Sequence, residues 1–224
     1  MHWADFAAQT LSQRGGKHII ASGITPSGEF HIGHLREILT GDMITRACKN
    51  AGMAAEFVFI VDSADPLRKV YPFLSDEYEQ YIGCALATIP APDENGCPGS
   101  DGRNYAEHFL EPFLAALEQI DVRPRIIDNY TSYANGEFAE KSRIACEKAD
   151  EIREIIERVS SRELASDWFP YNPYGHNGSL DGVTVTGFEW PYVHWNQKGI
   201  EGKSDLRKAE GKLPWRIDWP ARWG

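Results

Sequence analysis

The chain has 224 residues, of which 42% are hydrophobic and 25% charged, and carries a formal net charge of −10. Such a length and mixture bury a real core in one or two domains and exclude a disordered chain. The acidic balance excludes diffuse attraction to nucleic acid, so contact with RNA requires a local basic patch or a region outside this sequence.

Apolar spacing over residues 4–14 predicts a first helix, which Gly15-Gly16 ends. Residues 18–22 read as a short buried strand. The stretch Gly23-Ile24-Thr25-Pro26-Ser27-Gly28-Glu29-Phe30-His31-Ile32-Gly33-His34 follows, and Leu35, Ile38, Leu39 and Met43 then recur at helical spacing until Asn50-Ala51-Gly52. Residues 56–61 form a continuous apolar run, as expected of a strand covered on both faces of a parallel sheet. The result is a right-handed strand-helix-strand unit whose ligand lies at the carboxyl ends of the strands. Both the His31 stretch and Asp62-Ser63-Ala64-Asp65 fall there.

Prolines and glycines over 75–98 predict an irregular excursion from the sheet. Residues 105–120 carry Phe109, Phe113, Leu114, Leu117 and Ile120 at helical spacing, with Pro112 kinking the helix or marking its start. Residues 125–128 read as a third strand, and 137–164 as the longest helix, with a stripe from Ile144 to Val159. At Trp168 the composition shifts to short pieces broken by glycine and proline, including an alternating strand over 182–186. Lys203, Arg207, Lys208 and Lys212 cluster late in the chain and read as a solvated loop face. Cys48, Cys84, Cys97 and Cys146 have neither paired nor metal-ligand spacing and read as reduced thiols. With no signal pattern and no apolar run of about 18 residues, the expected location is cytoplasmic and no membrane partner is expected.

The chemistry concentrates at His31 and His34. Three residues apart at a helix start, they face the same way, where exposed amides and the helix dipole favour an anion. Two imidazoles so placed are suited to grip a phosphate chain as charge builds in a transition state. No carboxylate or cysteine stands at a supporting spacing, so they read as donors and not as metal ligands. Gly33 between them leaves no side chain to block a base or ribose.

These residues resemble the signature of class I aminoacyl-tRNA synthetases, and of class I lysyl-tRNA synthetase in particular. His2-Trp3-Ala4-Asp5, Asp65-Pro66-Leu67-Arg68-Lys69-Val70-Tyr71-Pro72 and Leu213-Pro214-Trp215-Arg216-Ile217-Asp218-Trp219-Pro220-Ala221-Arg222-Trp223 match that pattern as well, so the likeness runs from end to end. The resemblance implies an α/β fold: a Rossmann-like parallel sheet, the first half of the synthetase nucleotide fold, with a helical insertion and a small β-rich insert. The expected division is 1–166 for the nucleotide-binding half, 167–212 for the insert and 213–224 for the start of the second half.

The implied activity is ATP-dependent activation of lysine to lysyl-adenylate, with Mg2+ accompanying the ATP, and transfer to the acceptor end of tRNA. His31 and His34 are then the catalytic pair. Gly23, Thr25, Pro26 and Gly33 join them in holding ATP and the adenylate; Gly23 and Thr25 also hold the amino acid, and Asp62, Asp65 and Trp219 are candidates for its ammonium. Many members carry a zinc knuckle with two Cys-x-x-Cys-Gly turns. Here Gly178 and Gly199 remain but the cysteine places read Tyr174, Asn177, Trp195 and Lys198, so no zinc is expected, His176 and His194 do not complete a site, and Trp190, Tyr192 and Trp195 are expected to form a small core instead.

The family's second phosphate-binding loop and its helical anticodon-binding region do not occur in this sequence. Loss of one such cationic donor commonly costs about two to three orders of magnitude in rate. Activity is therefore expected to be impaired, or to need a missing C-terminal half or a second polypeptide. Two other readings use the same residues: a non-catalytic binding module for a tRNA acceptor stem or partner chain, and a nucleotidyltransferase acting on a small molecule.

Overall fold

The computed structural model describes residues 1–214 and 217. The chain forms two compact units, each assembled from two stretches: 1–65 with 86–129, and 66–85 with the chain from 130 onward.

The first unit holds a parallel three-stranded sheet in the order β1-β2-β3, with β1 at His18–Ile24, β2 at Ala55–Val61 and β3 at Arg125–Asp128. In β1–β2 the register runs from His18 opposite Ala55 to Ile24 opposite Val61, and β3 joins β2 from Val58–Arg125 to Val61–Asp128. Val58, Phe59, Ile60 and Val61 are all buried, which is why β2 lacks polar alternation and takes the central place. Helix α1 (Trp3–Ser12) starts from a capping box of His2 and Asp5. It buries Ala4 and Ala8 against Ala47 and Cys48 of α2 (Ile32–Asn50).

Helix α3 (Tyr105–Gln119) begins at a capping box of Asn104 and Glu107, so Pro112 stands inside the helix and not at its start. Ile38 of α2, Phe113 and Leu117 of α3, and Phe57, Phe59 and Val61 of β2 make one core on the same side of the sheet. Gly41 is where α2 meets β2 most closely: a Cβ there would lie 2.4 Å from Phe57 Cε2. The helix accepts a residue of poor helical propensity because the benzyl ring occupies the space of its side chain.

The excursion expected over 75–98 is irregular apart from a 3-10 turn at Asp76–Tyr81; residues 75–85 belong to the second unit, and 86–98, with the prolines and glycines that foretell the irregularity, to the first. In the second unit the later helices depart from expectation. The expected helix over 137–164 is divided. Short α4 (Asn129–Ala134) precedes it, and α5 (Ala139–Glu147) and α6 (Ala149–Ser160) are separated by Lys148, whose backbone (φ −110°, ψ 27°) leaves the helical well. Neither glycine nor proline marks that break, so the apolar period runs through it unchanged.

A two-stranded pair, β4 (Asn172–Pro173) with β8 (Gly211–Lys212), flanks an antiparallel sheet of β5 (Val183–Glu189), β6 (Tyr192–Gln197) and β7 (Ile200–Asp205). Only β5 was legible as a strand. Of the expected aromatic core, Trp195 alone is buried, with its Nε1 donating to Ser204 Oγ at 3.0 Å, whereas Trp190 is 43% exposed and Tyr192 carries Lys203 over its ring at 4.1 Å.

The two glycine turns are joined by an amide. Gln197 Nε2 donates to Asn177 Oδ1 at 3.1 Å and to the Asp181 carbonyl at 2.9 Å. Tyr174 is half-buried, Asn177 and Lys198 are exposed, and among the described residues no group of three His, Cys, Asp or Glu is placed to hold a metal.

The late basic cluster is not one solvated face. Arg207 is paired with Asp205, Lys208 lies 3.7 Å from Glu210, and Lys212 is buried in β8. All four cysteines are free. Cys48, Cys84 and Cys146 are buried, and burial first, then the charge of Glu147, pushes the Cys146 thiol up to about 12.

Gly41→Val forces two methyl groups into the space of the Phe57 ring and will destabilise the first unit by about 1–3 kcal/mol. Urea denaturation followed by tryptophan fluorescence will detect this as a lower midpoint at unchanged slope.

Candidate nucleotide-binding site

The candidate residues gather beyond the carboxyl ends of the strands. Ile24 closes β1, and its carbonyl accepts the N–H of Asp62 at 3.0 Å, so the loops after β1 and β2 leave the sheet side by side. After Gly23, still within β1, the chain turns at Thr25-Pro26-Ser27, where Ser27 N–H donates to the Thr25 carbonyl at 2.9 Å. Pro26 is buried under this turn. The chain then runs extended to His31 (φ −129°, ψ 177°), the N-cap of α2.

His31 and His34 form a capping box with each other. His31 Nδ1 accepts the N–H of Gly33 at 3.0 Å, and His34 Nδ1 accepts the N–H of His31 at 3.0 Å. Their ring centroids are 4.0 Å apart and tilted by 33°. A ring nitrogen that accepts a hydrogen bond carries no proton, so both neutral imidazoles hold theirs on Nε2. Two N–H donors therefore stand at the positive end of a 19-residue helix. His34 rests on Phe30 at 5.0 Å, and Phe30 stacks on Phe113 at 4.3 Å.

The space beside Gly33 belongs first to His31: a Cβ on Gly33 would lie 2.7 Å from His31 Cε1 and 2.9 Å from Nδ1. Glycine is required there by the cap itself, before any ligand is considered. Gly33 also lines an open, mainly apolar cavity of about 810 Å3 with Trp3, Ile32, Arg36, Leu39, Thr40 and Met43, to which neither imidazole contributes.

Burial, followed by the neighbouring His31, lowers the pKa of His34 below the ordinary histidine range, against the opposing pull of Glu37. Glu37 is itself held by Ser22 Oγ at 2.6 Å. A proton on His34 Nδ1 would confront the amide of His31 with a second donor. Because the folded-state pKa is lower than the unfolded one, this cap stabilises fully above the unfolded value of about 6.5 and is lost as pH falls through the folded value.

Asp62 is fully buried, and its Oδ1 accepts from Asn129 Nδ2 at 3.4 Å. Asp65, 9% exposed, accepts from Thr25 Oγ1 at 3.3 Å, which joins the two loops by side chains as well as by backbone. Trp219 lies outside the described residues. Sequence reasoning placed Ser63 in the loop after β2 and Asp128 in the third strand but assigned neither a role, and it passed over Asn129; the Ser63 hydroxyl donates to Asp128. The strand-end rule that singled out Asp62 applies equally to the residues closing β3, and would have found Asp128 and Asn129.

A helix start capped by two imidazoles thus stands at the carboxyl end of a parallel sheet. The family model for tRNA synthetases class I (K) matches residues 1–224, and the chain belongs to that family. Among curated relatives, it is 41% identical to a lysine--tRNA ligase of Picrophilus torridus, covering all of this chain and 43% of that protein. It is 42% identical to one from Methanosarcina barkeri, covering 41% of it, and 43% identical to one from Archaeoglobus fulgidus, covering 44%. The chain thus spans about two fifths of the length of the curated relatives it matches.

Two outcomes follow from this geometry. Gly33→Ala will displace the His31 ring and cost about 1 kcal/mol of cap stability, measured by thermal unfolding. In a proton NMR titration the Cε1–H signal of His34 will show its midpoint below 6.5, and the amides of His31 and Gly33 will lose protection over the same pH interval.

Proposed function

We propose that the chain supplies the half-site that binds ATP and lysine in the formation of lysyl-adenylate, the step that precedes transfer to the 3'-terminal adenosine of tRNA. The observation that carries this reading is the state of the two imidazoles. Both Nδ1 atoms are satisfied by backbone amides, leaving both Nε2–H groups as fixed donors at a helix N-terminus.

In this reaction a lysine carboxylate oxygen attacks the α-phosphorus, the bond from that phosphorus to the bridging oxygen breaks, and pyrophosphate leaves with the electron pair. Positioning and charge stabilisation provide most of the rate. His31 and His34 donate to phosphate oxygens, and as fixed neutral donors they need no reorganisation when charge develops. Gly33 lets the adenosine approach the backbone, and Gly23, Thr25 and Pro26 hold the adenylate. The Thr25–Asp65 pair offers a hydroxyl and a carboxylate to the amino acid's α-ammonium or side-chain ammonium, while enclosed Asp62 acts from behind it; Trp219 is assigned to the lysine stem. Mg2+ bound to the triphosphate would offset part of its charge.

A fixed-donor site of this kind also suits a non-catalytic module that retains nucleotide affinity, and these 224 residues cover about two fifths of the relatives' length. Lysine-dependent exchange of labelled pyrophosphate into ATP decides between them. For the 224 residues assayed by themselves, without the family's second phosphate-binding loop, the expected rate is about two to three orders of magnitude below that of a full-length ligase, and His31→Ala will abolish it. Exchange at the full-length rate would overturn the incomplete-site reading. Absence of exchange together with calorimetric binding of ATP or a lysyl-sulfamoyl adenylate mimic would support the non-catalytic reading.

A further inference from the structure

The loop that presents the two histidines is braced from outside its own segment. Tyr105, Phe109 and Phe113 follow one another at four-residue intervals on α3, so they share one face of that helix. Tyr105 is fully buried, and its hydroxyl donates to the carbonyl of Ser27 at 2.9 Å. Its ring packs on Phe109 at 4.8 Å. Two turns further on, Phe113 stacks on Phe30, and Phe30 carries the ring of His34. The same helix face therefore meets the loop twice, at the carbonyl after Pro26 and at the residue before His31.

The backbone of α3 is itself anchored where the row begins, since Tyr105 N–H donates to the Ile89 carbonyl at 2.9 Å and Asn104 and Glu107 cap the helix. Between Ser27 and His31 lie only Gly28, Glu29 and Phe30, a short span with one permissive residue. A loop held at both ends over so few residues has little freedom left. Fixed Nε2–H donors are useful only if the loop that carries them is fixed too, because donors that must reorganise forfeit most of their electrostatic advantage.

We infer that Tyr105 is a positioning residue for the histidine pair: its hydroxyl fixes the Ser27 carbonyl, and the aromatic row of α3 thereby sets where the two imidazoles stand. This rests on the nucleotide-binding reading above. Tyr105→Phe is the direct test, because it removes one oxygen and keeps the ring in the core. Three measurements on the 224-residue chain separate the outcomes: amide hydrogen exchange, the NMR titration of His34, and calorimetric affinity for a non-hydrolysable ATP analogue.

The expected result is exchange over residues 27–31 accelerated about tenfold with α3 unchanged, a displaced His34 titration, and affinity for the analogue reduced about five- to tenfold, the worth of roughly one hydrogen bond. Unchanged exchange and titration would overturn the inference, and so would faster exchange with affinity intact. If the unsubstituted chain bound no analogue, the nucleotide reading itself would fall, and Tyr105 could not be a positioning residue for it. The exchange data would then report only on loop support. Phe113→Leu provides an independent check: it removes the stacked ring while leaving the Tyr105 hydroxyl in place, and it is expected to move the His34 titration without loosening Ser27.

Discussion

Everything proposed for this chain depends on two hydrogen bonds between imidazole nitrogens and backbone amides at the start of α2. They tie His31 to Gly33 and His34 to His31, so each histidine helps to hold the other, and they settle which nitrogen of each ring carries the proton. A helix start normally leaves several amides in need of partners. Here the residues that meet the need are also those with chemistry to perform, so capping and ligand-directed function use opposite edges of the same rings. Burial of His34 on Phe30 keeps that arrangement neutral. Gly33 completes it by leaving room for the His31 ring.

Much of this was readable from residue order because the governing patterns are local. The strand-loop-helix at 18–50, the apolar central strand, the helical spacing over 105–120 and the third short strand each advertise themselves within a few residues. The placement of the site at the carboxyl ends of the strands follows from the parallel topology. What was not readable depends on distant partners. Nothing near Lys148 announces a break in the helical period, β6 mixes polar and aromatic residues, and β7 carries a single large apolar side chain, Ile200. The contact of Tyr105 with Ser27 joins residues 78 positions apart, and no window of sequence contains both.

The β-rich part is held by directional bonds and one large ring. The glycine turns at Gly178 and Gly199 have left-handed backbone, with φ of 75° and 88°. Gln197 reaches across to the neighbouring turn with its amide, and Trp195 is buried with its indole hydrogen-bonded to Ser204.

The excursion of residues 66–85 leaves and rejoins the first unit at a single doorway, because the amide of Leu86 donates to the carbonyl of Asp65 at 3.0 Å. Its two ends are thus already held at turn distance by a bond that belongs to the unit they depart from. With its ends closed in this way the segment is spent on the second unit, where the Ile82 carbonyl accepts from Ser179 Oγ at 2.8 Å and the Gly83 carbonyl from the N–H of Leu180 at 2.9 Å, while the carboxylate of Asp65 at the threshold keeps its place beside Thr25.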